Sequence, residues 1–286
     1  MRKTSLLHKA LFAIVLILLP IFITFLHTYT INKRRLSADI LKDISIIAAM
    51  YQMEVNGFLE TAQKRASDFS SDGYIRDRLK EITNGRQMSI PALNDHLLRN
   101  KMPLDSAIRA IHVISIDGRI RASTEPGSIG RDARAEGFFT SGKNGVSVTE
   151  GITDHIAPAS IIVSAPIPGG WNNRPLGVIA NIIPFSELTN GMPGRSGKET
   201  HLSREIEKKR ETLKTYIVNR ERLMITRPRL TKDALLQQRV HTMPVSECLG
   251  SNKSAAGFYP DYRGVEVAGA SVCMPSLKWT VVAEMD

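Results

Sequence analysis

The stretch LSADILKDISIIAAMYQMEVNGFLETAQKRASDF, Leu36–Phe69, decides the architecture of this chain. Taken every third or fourth residue it gives Leu36, Ile40, Ile44, Ile47, Tyr51, Val55, Phe58, Ala62, Ala66 and Phe69. Steps of 4, 4 and 3 recur as an 11-residue repeat, about 3.67 residues per turn, so the apolar stripe stays on one face of a nearly straight helix. At about 1.5 Å per residue that helix reaches roughly 50 Å. Such a rod suits an element that connects two places. Two uses compete for the stripe: docking the chain's own sheets, and pairing with a second copy in a homodimer. The expectation is that the upper part docks sheets and that Leu36, Ile40 and Ile44 face a partner helix.

Immediately before the rod, Ala10 to Asn32 carries no charged residue and is long enough to cross a hydrocarbon core of about 30 Å. A cleaved signal peptide is the competing reading. The apolar run exceeds a usual signal core, and His27-Thr28-Tyr29 offers no small-x-small cleavage site. Residues 1–32 are therefore read as a cytoplasmic tip and a transmembrane signal anchor, with the chain after Asn32 on one side of the membrane. Charge alone does not orient it, because Arg2, Lys3 and Lys9 on one flank face Lys33, Arg34 and Arg35 on the other.

The composition, 42% hydrophobic and 23% charged over 286 residues, excludes a chain disordered throughout. The net charge of +10 is concentrated, with 13 Lys or Arg against 6 Asp or Glu between Arg195 and Arg239. That stretch lacks the interleaved aromatics on which bases stack, so no nucleic-acid partner is expected. The two cysteines, Cys248 and Cys273, stand 25 residues apart, which excludes zinc-ribbon and thioredoxin-type spacings. A disulfide and two separate buried thiols both stand as readings. Gly137-Phe138-Phe139-Thr140-Ser141-Gly142-Lys143 has the spacing of a phosphate-binding loop. Asn144 replaces the hydroxyl residue that would hold magnesium, and two phenylalanines crowd the loop. No zinc-protease, nucleophile-elbow or dinucleotide motif occurs, and the seven histidines show no ligand spacing. No catalytic residue, metal site or cofactor is expected.

Tyr74–Thr83 and Pro91–Asn100 read as short helices, so residues 33–107 form a helical lead. From Ile108 the period falls to two. Strands are expected at Ile111–Ile116, Arg119–Ser123, Val146–Glu150, Ala159–Pro166 and Leu176–Ile183, with Asp117-Gly118 as a hairpin turn. This first module, 108–190, ends at the junction Gly191–Gly197. The second, 191–286, opens with a charged insertion, 201–214, read as a solvent-exposed hairpin. Strands follow at Thr215–Asn219, Leu223–Thr226, Gly257–Tyr262, Val265–Cys273 and Trp279–Glu284, with a helix around Asp233–Gln238. The fold class is α+β: a transmembrane helix, a long stalk helix and two antiparallel-sheet modules in tandem.

Several stretches together carry a family resemblance. They are Ile116–Ile120 with Ser123-Thr124 and Ile129–Asp132, Phe138-Phe139, Ile161–Ile167, Gly177–Ala180, Thr215–Arg220, and Asp261–Gly264 through Trp279–Glu284. In that order the chain resembles the double Cache sensor domains of bacterial transmembrane receptors. The resemblance implies two PAS-like modules along the long helix, the first distal from the membrane and holding a small-molecule pocket, the second proximal. It implies a bacterial inner-membrane protein, single-pass, with its bulk in the periplasm. The family continues into a second transmembrane helix and an output domain. The expectation is therefore a fragment, or a receptor that borrows its output.

Members that bind amino acids carry an arginine two residues before an aromatic pair and, later, an aspartate for the amine. Here Glu136 stands two before Phe138, and Asn181-Ile182 occupy the later position. Glu136 would repel a carboxylate, unless Arg131 or Arg134 serves from a neighbouring turn. The expected ligand is a neutral or cationic small molecule near Arg131, Arg134, Glu136, Phe138, Phe139, Asp154 and His155. The competing function is a membrane-tethered assembly module with no small-molecule ligand.

Overall fold

The structure is a computed structural model that describes residues 6–151, 159–169, 174–190, 212–226 and 235–286. Helix α1 (Leu6–Ser70) runs unbroken for 65 residues, roughly 100 Å at the α-helical rise. Its first part is long and apolar enough to span a membrane. The large apolar side chains between Leu16 and Tyr29 are 44–64% exposed.

Further along, α1 becomes the spine of the molecule. Its buried positions are Ile44, Ala48, Tyr51, Val55, Leu59, Ala62, Ala66 and Phe69, averaging about 3.6 residues per turn. The 11-residue pattern overshoots this period, so Ile47 and Phe58 fall to the half-buried flank while Ala48 and Leu59 take the seam. The small Ala48 suits that position because Ala268, Ala270 and Ala283 approach it closely from the second sheet. Ile44 joins the same contact with no exposed surface, and Ile40 packs on its edge. Ile44 therefore cannot face a partner helix as the stripe suggested, and Ile40 is half-covered by the second sheet. Leu36 alone of those three is open, at 63% exposure.

At the far end of α1, Asp72 caps α2 (Gly73–Thr83) by accepting from the Tyr74 N–H at 2.7 Å. The same carboxylate binds His96 and Lys101. This ties the turn to α3 (Ser89–His96) and to the π-turn Leu97–Lys101 that continues it.

The first sheet contains β1 (Ala110–Ser115), β2 (Ile120–Ser123), β3 (Ser147–Gly151), β4 (Ser160–Pro168) and β5 (Pro175–Pro184), in the order β2-β1-β5-β4-β3. Every neighbouring pair is antiparallel. Alternation sorts the faces: Ile161, Val163, Ala165 and Ile167 of β4 join the cluster around α1, while Ile162 points to the other side. The β1–β2 hairpin turns at Gly118, whose φ of +83° favours glycine. Helix α4 (Gly137–Gly142) lies between β2 and β3, and α5 (Phe185–Asn190) follows β5.

The second sheet is built from β6 (Lys214–Val218), β7 (Ala256–Pro260), β8 (Glu266–Met274) and β9 (Trp279–Met285), in the order β6-β9-β8-β7. Four details depart from the expectations. Leu223–Thr226 makes only isolated bridges, through Leu223 and Met224, rather than a ladder. Residues 235–237 form a turn, not a helix; Asp233 and Ala234 lie outside the described residues. A helix not anticipated, α6 (Met243–Ser251), starts with Thr242 as N-cap residue and Pro244 in its first turn. Its sequence is poor in strong helix formers. Burial of Val245 and a disulfide from Cys248 to Cys273 on β8 fix it to the sheet, with the Cα atoms 5.5 Å apart. Finally, Lys214 is not part of an exposed insertion. It opens β6 and is completely buried, for reasons given below. The junction 191–197 and the insertion residues 201–211 lie outside the described residues.

Candidate ligand-binding face

The face of the first sheet turned away from α1 is lined by Ala110 and Ile114 of β1, Ile120 of β2, Ile162 of β4, and Val178, Ala180 and Ile182 of β5. Alternation along β1 puts His112 on this face between Ala110 and Ile114, opposite Ala180. The residue has no exposed surface. Its Nδ1 meets the Ser123 hydroxyl at 2.8 Å, while its Nε2 is buried with no hydrogen-bond partner among the described residues. Burial, helped by the charges of Arg109 and Arg131, pushes the imidazole down to a pKa of about 4, so it is neutral at physiological pH. A neutral imidazole with one free nitrogen can recognise a polar ligand, and leaving that nitrogen unmet costs stability.

Covering this face is the segment that leads into α4. Arg119 bridges to Asp132, Ala133 is buried, and Phe138 and Phe139 each show 2% exposure. Helix α4 sits close to the sheet: a Cβ at Gly142 would lie 2.6 Å from the Ser164 hydroxyl. That hydroxyl bonds the Phe138 carbonyl at 2.8 Å and the Ser147 hydroxyl of β3 at 2.8 Å.

The expected site residues fall into four groups. Phe138 and Phe139 pack against the outer face as wall, with Lys143 lying 4.8 Å above the Phe139 ring. Arg131 is exposed but near enough to His112 for its charge to be felt, and Glu136 is half-buried just before α4. Arg134 does not turn to the sheet: it holds Asp132 through its Nε at 2.9 and 3.0 Å and through its Nη2, and lies across Gly118. Asp154 and His155 lie outside the described residues. Asn181 proves to be on the opposite face. It pairs with Ile111 and Val163, both of the α1 cluster, and neither atom of its amide has a hydrogen-bond partner among the described residues. The residues missed by sequence reasoning are His112 and Ser123. The available signal was period two, which gives His112 the phase of Ala110 and Ile114.

A second polar cluster occupies the corresponding face of the second sheet. Lys214 Nζ reaches Asp261 at 2.9 Å and Asp286 at 2.7 Å, and Arg263 reaches the same two carboxylates at 2.8 and 2.7 Å. Beside them the Tyr216 and Tyr259 hydroxyls donate to Glu284 Oε1 at 2.8 and 3.1 Å. Burial raises the Glu284 carboxyl to about 6 despite these two bonds and the nearby Lys214 charge. Between the sheets, Glu150 of β3 accepts from Trp279 Nε1 and, at 2.9 Å, from Asn219 Nδ2.

These shifts give stability an opposite sign in two pH windows. Asp72 and Asp261 are held at about 2, mainly by their Lys, His and Arg partners against the cost of burial. Their contribution is present above about pH 4 and is lost as pH falls toward 2. Glu284 is raised, so its folded form binds the extra proton, and stability declines as pH rises from about 4.5 through 6. Urea midpoints measured from pH 3 to 8 are expected to peak near pH 4.5 and to fall on both sides. A Glu284→Gln variant should keep the acid limb and lose most of the decline between pH 5 and 7.

No family model matches the chain, and no curated protein matches it by sequence. Solved structures do. The sensor domain of the Vibrio cholerae histidine kinase DctB superposes with a TM-score of 0.62 at 14% identity, over 87% of this chain and 97% of that one. The ligand-binding domain of the Pseudomonas fluorescens chemoreceptor CtaA, in complex with L-serine, gives 0.55 at 12% identity, over 87% and 98%. That of the Pseudomonas aeruginosa amino-acid chemoreceptor PctB, in complex with L-arginine, gives 0.53 at 15% identity, over 87% of each chain. All three are double Cache domains, and the chain has their fold.

Proposed function

We propose that this double Cache fold serves as the small-ligand-sensing part of a membrane-anchored signalling receptor, anchored by the N-terminal part of α1 and facing the periplasm. The observation that carries this reading is His112, buried on the outer face of the first sheet with Nε2 unmet. The fold neighbours that bind amino acids supply the precedent for a small solute. The positive charges of Arg109 and Arg131 near His112 narrow the ligand class from neutral or cationic to neutral and polar. Modules 108–190 and 191–286 are the sensing and relaying halves, with Arg131, Glu136, Phe138 and Phe139 around the ligand.

Signalling follows from differential affinity: the ligand must favour one of two arrangements of the cover. A hydrogen-bonded route leads away from it. The Phe138 carbonyl binds Ser164, Ser164 binds Ser147 at the start of β3, and Glu150 further along β3 binds Trp279 and Asn219 of the second sheet.

A thermal-shift screen of the full chain in nanodiscs against a metabolite panel tests the site. A ligand at a hundredfold excess over Kd should stabilise by about 2.7 kcal/mol. His112→Leu should weaken its binding about tenfold or more. Unchanged affinity in that variant would place the ligand elsewhere, and tight binding of a dicarboxylate or simple α-amino acid would sink the neutral-ligand class.

Dimerisation through α1 remains part of the proposal, on a different face. Leu36, Ile46, Met50 and Met53 are exposed by 63, 49, 52 and 68%. The last three are spaced by 4 and 3, the spacing of a two-helix seam. Single cysteines at Met50 and Met53 should give symmetric crosslinks in membranes, and one at Ile44 should not; the reverse pattern would restore the seam read from the sequence.

A further inference from the structure

Like the first sheet, the second has α1 on one face and buried polar groups on the other. We infer that this outer face carries a second small-ligand site, built on Glu284, that takes a small primary ammonium ion. Two phenols fix Glu284 Oε1, from Tyr216 at 2.8 Å and Tyr259 at 3.1 Å. Oε2 is fully buried and has no hydrogen-bond partner among the described residues. Close approach is built in: a side chain at Gly269, directly opposite Glu284 on β8, would collide with the Tyr259 ring.

Among the described residues, the charges around this carboxylate do not balance. Lys214 and Arg263 supply two positive side chains, against the three carboxylates of Asp261, Asp286 and Glu284. Both cations bond Asp261 and Asp286, which leaves Glu284 the member of the cluster whose charge has no cation among the described residues within hydrogen-bond reach. One monovalent cation would close the balance, and an unpaired buried charge strongly favours acquiring a partner.

The surroundings select its kind. Oε2 and the remaining lone pairs of two phenol oxygens make three acceptors, the number of N–H donors on a primary ammonium group. A hard divalent ion would need six or more oxygens. Tyrosine rings favour an organic cation: Tyr216 and Tyr262 stand perpendicular, their centroids 5.8 Å apart. Glu284 and Tyr216 show no exposed surface and Tyr259 only 5%, so the guest must be small and the packing over Oε2 must open to admit it. Lys214 shows that an alkylammonium group fits on this face.

Methylammonium chloride is the probe, added to the full chain in nanodiscs at pH 7.5 while thermal unfolding is followed. The midpoint should rise saturably. The half-saturating concentration should increase about tenfold or more in Glu284→Gln, which keeps an acceptor for both phenols. Glu247→Gln, an exposed carboxylate on α6, should leave the response unchanged. At pH 5, where Glu284 takes a proton, the response should weaken. An equal rise with sodium or tetramethylammonium chloride at the same ionic strength would overturn the site. So would a midpoint that responds to pH but not to methylammonium, which would make the proton the sole guest. Should Glu284→Gln fail to fold, Tyr259→Phe removes one of the three acceptors, and an unweakened response in that variant overturns the assignment.

Discussion

Lys214→Met is expected to lower the stability of the second module by about 3–5 kcal/mol, the cost of breaking a buried ion pair from one side. The lysine and Asp261 side chains are both 0% exposed, and their 2.9 Å contact joins the first strand of the sheet to the turn after β7. With the ammonium gone, Arg263 alone faces Asp261, Asp286 and Glu284. Methionine replaces the aliphatic stem, so lost packing contributes little. Asp261 Oδ1 accepts the Arg263 and Val265 N–H groups at 2.7 and 3.1 Å, and asparagine can keep both bonds. Asp261→Asn should therefore cost less by itself and should restore part of the loss when combined with Lys214→Met. A double-mutant cycle on urea midpoints measures this coupling. Simple additivity, or a single variant as stable as the parent, would remove the pair from the list of interactions that hold the module.

Why the lysine was not legible in the sequence is instructive. Lys214 closes a run of charged residues, and composition assigns such runs to solvent. Its partners stand 47 and 72 residues away, at Asp261 and Asp286, and only the antiparallel register that sets Lys214 against Glu284 brings them together. His112 and Ser123 pose the same difficulty at shorter range, since their contact depends on the β1–β2 pairing. Local rules sufficed elsewhere. Most strands followed from period two, the hairpin at Asp117-Gly118 from its glycine, and the spine from apolar residues at helical spacing. The phase of that spine did not follow, because it depends on which sheet approaches α1 most closely, and the alanines that permit the approach lie more than two hundred residues later. Helix α6 was hidden by its own composition, being held by tertiary contacts and a crosslink rather than by propensity.

That crosslink sets the second large effect. Replacing Cys248 and Cys273 with serine, or reducing the protein, should destabilise the second module by about 3 kcal/mol, the loop-closure value for a separation of this order. The bond spans 25 residues and encloses the last turn of α6, all of β7 and almost all of β8. These two are the only cysteines in the chain, so the first sheet holds none and should be spared. Hydrogen exchange with and without reductant separates the two outcomes. Amides of α6 and β7 should lose protection first, β7 being the edge strand with a single neighbour, while β1, β4 and β5 keep theirs. Uniform loss across both sheets would mean that the modules form one folding unit, coupled by the apolar cluster that Ile217, Trp279 and Val281 share with α1 and the first sheet and by the Glu150 contacts to Trp279 and Asn219. Glu150→Gln, which weakens that clasp, should then separate the two contributions: unfolding in two steps assigns the coupling to the clasp, unfolding in one assigns it to the shared apolar cluster. The same variant would test the relay, since a clasp strong enough to make unfolding cooperative is also strong enough to carry a change in the first sheet into the second.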